Sequence, residues 1–148
     1  MTIENLNEIA LSIIREATKR VNNGATIIAL FGDLGAGKTT LTKEIAKIIG
    51  VKENIISPTF VIMKMYDLDK NKLGVTITPF NKLIHIDAYR LKDETELNHL
   101  GFDVLSKDKN NIIVIEWPEI VDKCLDDNVF RVLLTHKDEV TRMVKFLI

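Results

Sequence analysis

Apolar residues recur at Leu6, Ile9, Ala10, Ile13, Ile14, Ala17 and Val21, with Arg15, Glu16, Lys19 and Arg20 between them. That spacing places the apolar side chains on one face of a helix and the charges on the other. Asn22-Asn23-Gly24 ends it. The period then changes: Thr26 to Phe31 is a short, almost wholly apolar run, as in a strand covered on both faces, and it leads straight into Gly32. Leu41, Ile45, Ile48 and Ile49 restore a helical stripe that Gly50 closes. Ser57-Pro58 breaks the chain, and Phe60 to Tyr66 reads as extended. Asp67 to Lys82 is a polar loop in which Val75-Thr76-Ile77-Thr78 could pair as an edge strand.

Two further apolar runs each end on an acid. Leu83 to Ile86 leads into Asp87, and Ile112 to Ile115 leads into Glu116. Between them, Leu91 to Leu105 carries helical turns around Leu97 and Leu100. The chain closes with strand-like runs at Val129 to Thr135 and Arg142 to Ile148, joined by His136-Lys137-Asp138-Glu139. There is no internal repeat, low-complexity tract or linker. The pattern predicts a single α/β domain over residues 1–148: a P-loop NTPase-like fold with a mostly parallel central sheet, flanking helices, and antiparallel strands at an edge.

The 148 residues suit one domain, which at this length buries roughly 70% of its unfolded surface. With 20 basic and 21 acidic residues the net charge is -1, and no basic stretch calls for a nucleic-acid backbone or an anionic membrane. The single cysteine, Cys124, precludes an internal disulfide and suits a reducing compartment. It reads as structural, with a reactive thiol as the alternative. Met1-Thr2-Ile3-Glu4-Asn5 is not a signal peptide, and the apolar runs are too short to span a bilayer. The expected location is cytoplasmic.

The chemistry concentrates after the first strand. Gly32-Asp33-Leu34-Gly35-Ala36-Gly37-Lys38-Thr39 fits G-x-x-x-x-G-K-[ST], and Thr40 adds a second hydroxyl. Glycines let the backbone turn so that successive amides curl around phosphates. The positive end of the following helix points at the same anion. Lys38 can reach the outer phosphates, and the Thr39 hydroxyl can complete a magnesium shell. A glycine-rich turn that binds nothing is the alternative; the strand before and the helix after favour the phosphate cradle.

In an open parallel sheet ligands sit beyond the carboxyl ends of the strands. Gly32, Asp87 and Glu116 should therefore emerge together. Asp87 and Glu116 are the candidates for the acidic element, one on the metal and the other orienting water, with the assignment open. Thr59, in Ser57-Pro58-Thr59-Phe60, could sense a terminal phosphate, although such a string also starts ordinary strands. His85 reads as a hydrogen-bonded structural histidine before a catalytic one. Arg90 could stabilise phosphate charge or pair with Asp93 or Glu94. Trp117 could lie beside the nucleotide or in the core. The chain has no glutamine and no Asn-Lys-x-Asp tetrad, since Asn81-Lys82-Leu83-Ile84 lacks the acid. That favours ATP over GTP.

Taken together, the cradle, Ser57-Pro58-Thr59-Phe60, His85-Ile86-Asp87-Ala88-Tyr89-Arg90-Leu91 and Ile115-Glu116-Trp117-Pro118-Glu119 resemble the TsaE (YjeE) family. These strings occur in the family's order and span most of the chain. The resemblance implies a weak, magnesium-dependent ATPase, accessory to a TsaD and TsaB complex that attaches threonylcarbamoyl to an adenosine of tRNA. It implies no transfer chemistry of its own and only indirect contact with tRNA. Motif match would put Lys38 and Thr39 in the phosphate and metal site, Asp87 in the second acidic element, and Glu116 with Trp117 at the nucleotide. Arg142 would match an arginine near the last strand. Asp67 to Lys82 is longer than the usual family connection, and Ala88 replaces a larger aliphatic residue. The competing readings are a small-molecule kinase and a nucleotide-gated binding module with negligible hydrolysis.

Overall fold

The apolar runs align side by side in the computed structural model, which describes residues 5–20, 23–58, 61–69 and 80–147. β1 (Thr26–Phe31) is central, parallel to β4 (Asn111–Glu116) on one side and to β5 (Phe130–His136) on the other. β3 (Lys82–Asp87) runs parallel beyond β4. β2 (Met63–Asp67) adds antiparallel to β3, and β6 (Arg142–Leu147) adds antiparallel to β5. The order is β2-β3-β4-β1-β5-β6. Among the described residues antiparallel strands thus form both edges, where the closing hairpin predicted one. The β5–β6 hairpin is the expected edge. The second, β2, starts at Met63 rather than at Phe60. Val21, Asn22, Thr59, Phe60 and Val75 to Thr78 lie outside the described residues.

Strand periodicity divides the core into two layers. Ile28, Leu30, Leu83, Ile112, Val114, Val132 and Leu134 face one side. There they pack against Ala10, Ile13 and Ala17 of α1 (Leu6–Thr18) and Leu41, Ile45 and Ile49 of α2 (Lys38–Ile49). Each such fully buried Ile or Leu contributes about 1.5–3 kcal/mol. Ile27, Ala29, Ile84, Ile86, Ile113 and Ile115 face the other side. They are covered by α3 (Glu94–His99), α4 (Phe102–Leu105) and a 3-10 segment, Pro118–Cys124. The helical stretch predicted from Leu91 to Leu105 is split by Gly101, whose φ of +92° interrupts it. Asp93 caps α3 by accepting from the Thr95 and Glu96 amides.

The same alternation positions the polar residues. His85 and Asp87 share the parity of Leu83, and Glu116 shares that of Ile112 and Val114. All three therefore point toward the α1–α2 side. Asp87 and Glu116 are register partners at the strand ends, and Glu116 also pairs with Leu30, one residue before the end of β1. Among the described residues, no helix is long and apolar enough to cross a membrane.

Candidate functional site

At the end of β1 the chain turns through Gly32 (φ +151°), Gly35 (φ +78°) and Gly37 (φ +102°) and enters α2 at Lys38. Gly32 is required by packing as well as by conformation, because a Cβ there would stand 2.6 Å from the Leu134 carbonyl oxygen of β5. Nothing lies within 4 Å of a Cβ built on Gly35, so its conformation alone favours glycine. Residues Leu34 to Thr40 line a cleft of about 270 Å³ with Ser57, Asp87, Glu116 and Trp117.

Lys38 is almost completely buried. Its ammonium donates to the carbonyls of Gly32 and Asp33, the latter at 3.2 Å, and lies 3.8 Å from the centroid of the Trp117 ring. Burial pushes the Lys38 pKa down. Glu116, Glu119, Asp87 and Asp33 push it back up, with burial the larger effect. A cation held over an aromatic face by main-chain carbonyls can exchange those partners for an anion.

Trp117 reaches the ammonium from a left-handed backbone (φ 59°, ψ 47°) just before Pro118. For a bulky residue that conformation costs of order 1–3 kcal/mol and persists only where surrounding contacts hold it. Its ring packs on Tyr89 at 5.0 Å between centroids. Trp117 is therefore half-buried, lining the cleft with one part of its surface and packing against the second core layer with another.

The acids are organised by donors. The Thr39 hydroxyl lies 2.9 Å from Oε1 and 3.1 Å from Oε2 of Glu116. The His85 Nε2 lies 2.5 Å from Oε2 of the same carboxylate. Asp87 accepts the Tyr89 amide on Oδ1 at 3.0 Å. His85, Asp87 and Glu116 are all buried. Two carboxylates and a hydroxyl are hard oxygen donors of the kind magnesium takes. Among the described residues no cluster of three or more His, Cys, Asp and Glu side chains could hold a metal by itself. A cation here would thus complete its shell with water or phosphate oxygens, as magnesium usually does. The amide-rich loop and the start of α2 likewise fit a polyphosphate.

The structure brings together Gly35, Ala36, Gly37, Lys38, Thr39, Thr40, Asp87, Glu116 and Trp117, with the exposed Leu34 at the loop's tip. Gly32 and Asp33 lie just behind, as carbonyl acceptors of Lys38. Arg142 is not among the cleft-lining residues. Its guanidinium donates to the Gly35 carbonyl at 3.4 Å and to those of Asp138, Glu139 and Thr141, bracing the loop from the β5–β6 hairpin. Arg90 is exposed on the turn after Asp87, and Thr59 falls outside the described residues. Sequence reasoning missed the link from His85 to Glu116 and the packing of Tyr89 on Trp117. The two-residue spacing of His85 and Asp87 was the available signal, since it puts both on one face of β3.

Strand, glycine-rich loop and helix, with acids at the ends of two neighbouring strands, define a single P-loop NTPase-like α/β domain. The family model described as "Threonylcarbamoyl adenosine biosynthesis protein TsaE" matches residues 3–144. Proteins named "tRNA threonylcarbamoyladenosine biosynthesis protein TsaE" are similar over most of the chain. That of Rickettsia typhi is 38% identical over 118 residues, 79% of this chain and 74% of the relative. Those of Aquifex aeolicus (34% over 134 residues, 84% and 87%) and Bacillus subtilis (32% over 120 residues, 81% and 68%) are comparable. The crystal structure of Bacillus subtilis YdiB superposes with a TM-score of 0.63 at 26% identity, covering 95% of this chain and 78% of that one. The chain belongs to the TsaE family.

Proposed function

We propose that this protein binds ATP with magnesium at the Gly32–Thr39 loop and hydrolyses it slowly, as an accessory to tRNA threonylcarbamoyladenosine biosynthesis. The observation that carries the ATPase reading is the junction of loop and acid: the Glu116 carboxylate bonded to the Thr39 hydroxyl, one residue after Lys38. Family membership carries the pathway. The TsaD–TsaB complex is the proposed partner, with tRNA reached only through it.

In this reading the amides of Gly35 to Thr39 and the positive end of α2 hold the phosphates. Lys38 exchanges its carbonyl partners for phosphate oxygens and neutralises charge that builds during transfer to water. Magnesium, when bound, supplies Lewis-acid polarisation of the phosphate oxygens. Thr39 and Glu116 are the residues that would hold it, because they already share a hydrogen bond, and Asp87 is left to orient the attacking water. Trp117 covers Lys38 and flanks the nucleotide, and Arg142 keeps the loop in shape from behind.

The test is ATP hydrolysis by the purified protein with and without TsaB and TsaD, across a magnesium series. Stimulation by the partners, or a nucleotide-dependent complex with them, supports the proposal. Magnesium-independent turnover, or phosphate delivered to an added nucleoside instead of water, contradicts it.

A further inference from the structure

We infer that His85 is a positioning residue of this site: through Glu116 it holds the Thr39 hydroxyl in the orientation the metal side needs. The inference rests on the ATPase reading above and adds to it a residue that does not line the cleft. His85 is fully buried in β3, with Nε2 on Glu116 Oε2. Its other ring nitrogen, Nδ1, is buried and has no hydrogen-bond partner among the described residues.

Packing alone does not account for an imidazole here. A buried polar atom left without a partner costs about 1–3 kcal/mol. The neighbouring inward positions of β3 and β4, Leu83, Ile112 and Val114, are apolar and fully buried. What an apolar residue could not supply is the donor to Oε2. A carboxylate accepts, so Nε2 must carry the ring proton, and Nδ1 is then left as a lone pair rather than as an orphaned N–H. One tautomer therefore satisfies the geometry.

The consequence lies in the carboxylate torsion. The terminal torsion of a glutamate is broad and roughly two-fold, so the Thr39 bond alone leaves Glu116 free to swing with the hydroxyl. A second donor from β3 fixes the carboxylate plane. The chain His85–Glu116–Thr39 ties β3, β4 and the first turn of α2 together. It is the arrangement by which outer partners orient metal ligands, whose loss typically weakens metal binding or activity about 10–100-fold.

Two variants separate positioning from packing. His85→Leu removes the donor and keeps an apolar fill; His85→Gln keeps an N–H donor at similar reach. We expect His85→Leu to lower kcat about tenfold and to raise the half-saturating magnesium concentration severalfold, with KM for ATP within about twofold. His85→Gln should recover most of both. Unchanged turnover and magnesium dependence in His85→Leu, or equal loss in the two variants, would overturn the inference. Nitrogen-resolved NMR of the imidazole in the metal-free protein supplies a readout without turnover. The proton is expected on Nε2 in a single tautomer, with the signal displaced in Glu116→Gln; a ring protonated on Nδ1 alone contradicts the inference. If the parent protein hydrolyses no ATP, the function proposed above falls, and the ring spectrum still decides whether His85 holds Glu116.

Discussion

At the carboxyl ends of β1, β3 and β4, a cleft of about 270 Å³ brings together Lys38, Asp87 and Glu116, all buried. At the opposite ends of the sheet lies a cleft of about 310 Å³, lined by residues such as Gly24, Ser106, Lys107, Cys124, Asp126 and Asn128. Its charged residues, Lys107 and Asp126, are exposed to water. Its cysteine is held above its ordinary pKa by burial and by Glu94, which disfavours the thiolate. The larger cleft is thus the one with less chemistry. Burying a charge costs several kcal/mol unless partners compensate, so it is the end that keeps Lys38, Asp87 and Glu116 out of water, and not the larger volume, that makes the candidate functional site.

The comparison breaks most visibly at Lys38. Lys38→Ala should lower ATP turnover by about 10²–10³-fold or more while leaving the fold intact by circular dichroism. Unchanged hydrolysis would remove the loop from the mechanism. Next come the acids: Glu116→Ala and Asp87→Ala should each reduce magnesium-dependent turnover by about 10²-fold. Glu116→Ala should also cost about 1–3 kcal/mol of stability, because the buried His85 ring loses its acceptor. Chemical denaturation separates the two effects, and normal hydrolysis in both variants would refute the acid assignment.

A smaller signature lies in alkaline pH. Burial depresses the Lys38 pKa, so the folded chain releases this proton before the unfolded chain does. Between the folded and unfolded pKa values the unfolded state binds more protons, and this contribution to stability rises with pH. Below the folded value the burial cost is fully present. Denaturation midpoints followed into the alkaline range should show that rise in the parent and lose it in Lys38→Met; parallel curves would contradict it. Least affected should be the opposite end of the sheet. Lys107→Ala should leave turnover unchanged and shift stability by no more than about 0.5 kcal/mol.

The two ends also differ in how far they could be read from sequence. The cradle was legible because one local string carries strand, turn and helix together: an apolar run, three glycines, then Lys38 and Thr39. Asp87 and Glu116 were legible because each terminates an apolar run, and parallel pairing brings such ends together. The His85–Glu116 bond was not, since it depends on the register that sets His85 opposite Val114 and Asp87 opposite Glu116. Nor was the place of Trp117, which follows from a positive φ unusual for its residue type. The edge strand β2 was obscured by its own pattern: only Tyr66 of its five residues is buried, so no clean alternation announces it. Arg142 was found from the family resemblance, but its reach to the back of the loop needed the fold of the hairpin.

The central claim is that this loop grips a triphosphate, and calorimetric titration of the purified protein with ATP in excess magnesium tests it most directly. The fluorescence of Trp117, the chain's one tryptophan, can be followed alongside. The expected result is saturable binding at one site, with a fluorescence change that tracks the heat and with both lost in Lys38→Ala. Absence of binding in the parent, or equal binding in Lys38→Ala, would contradict it.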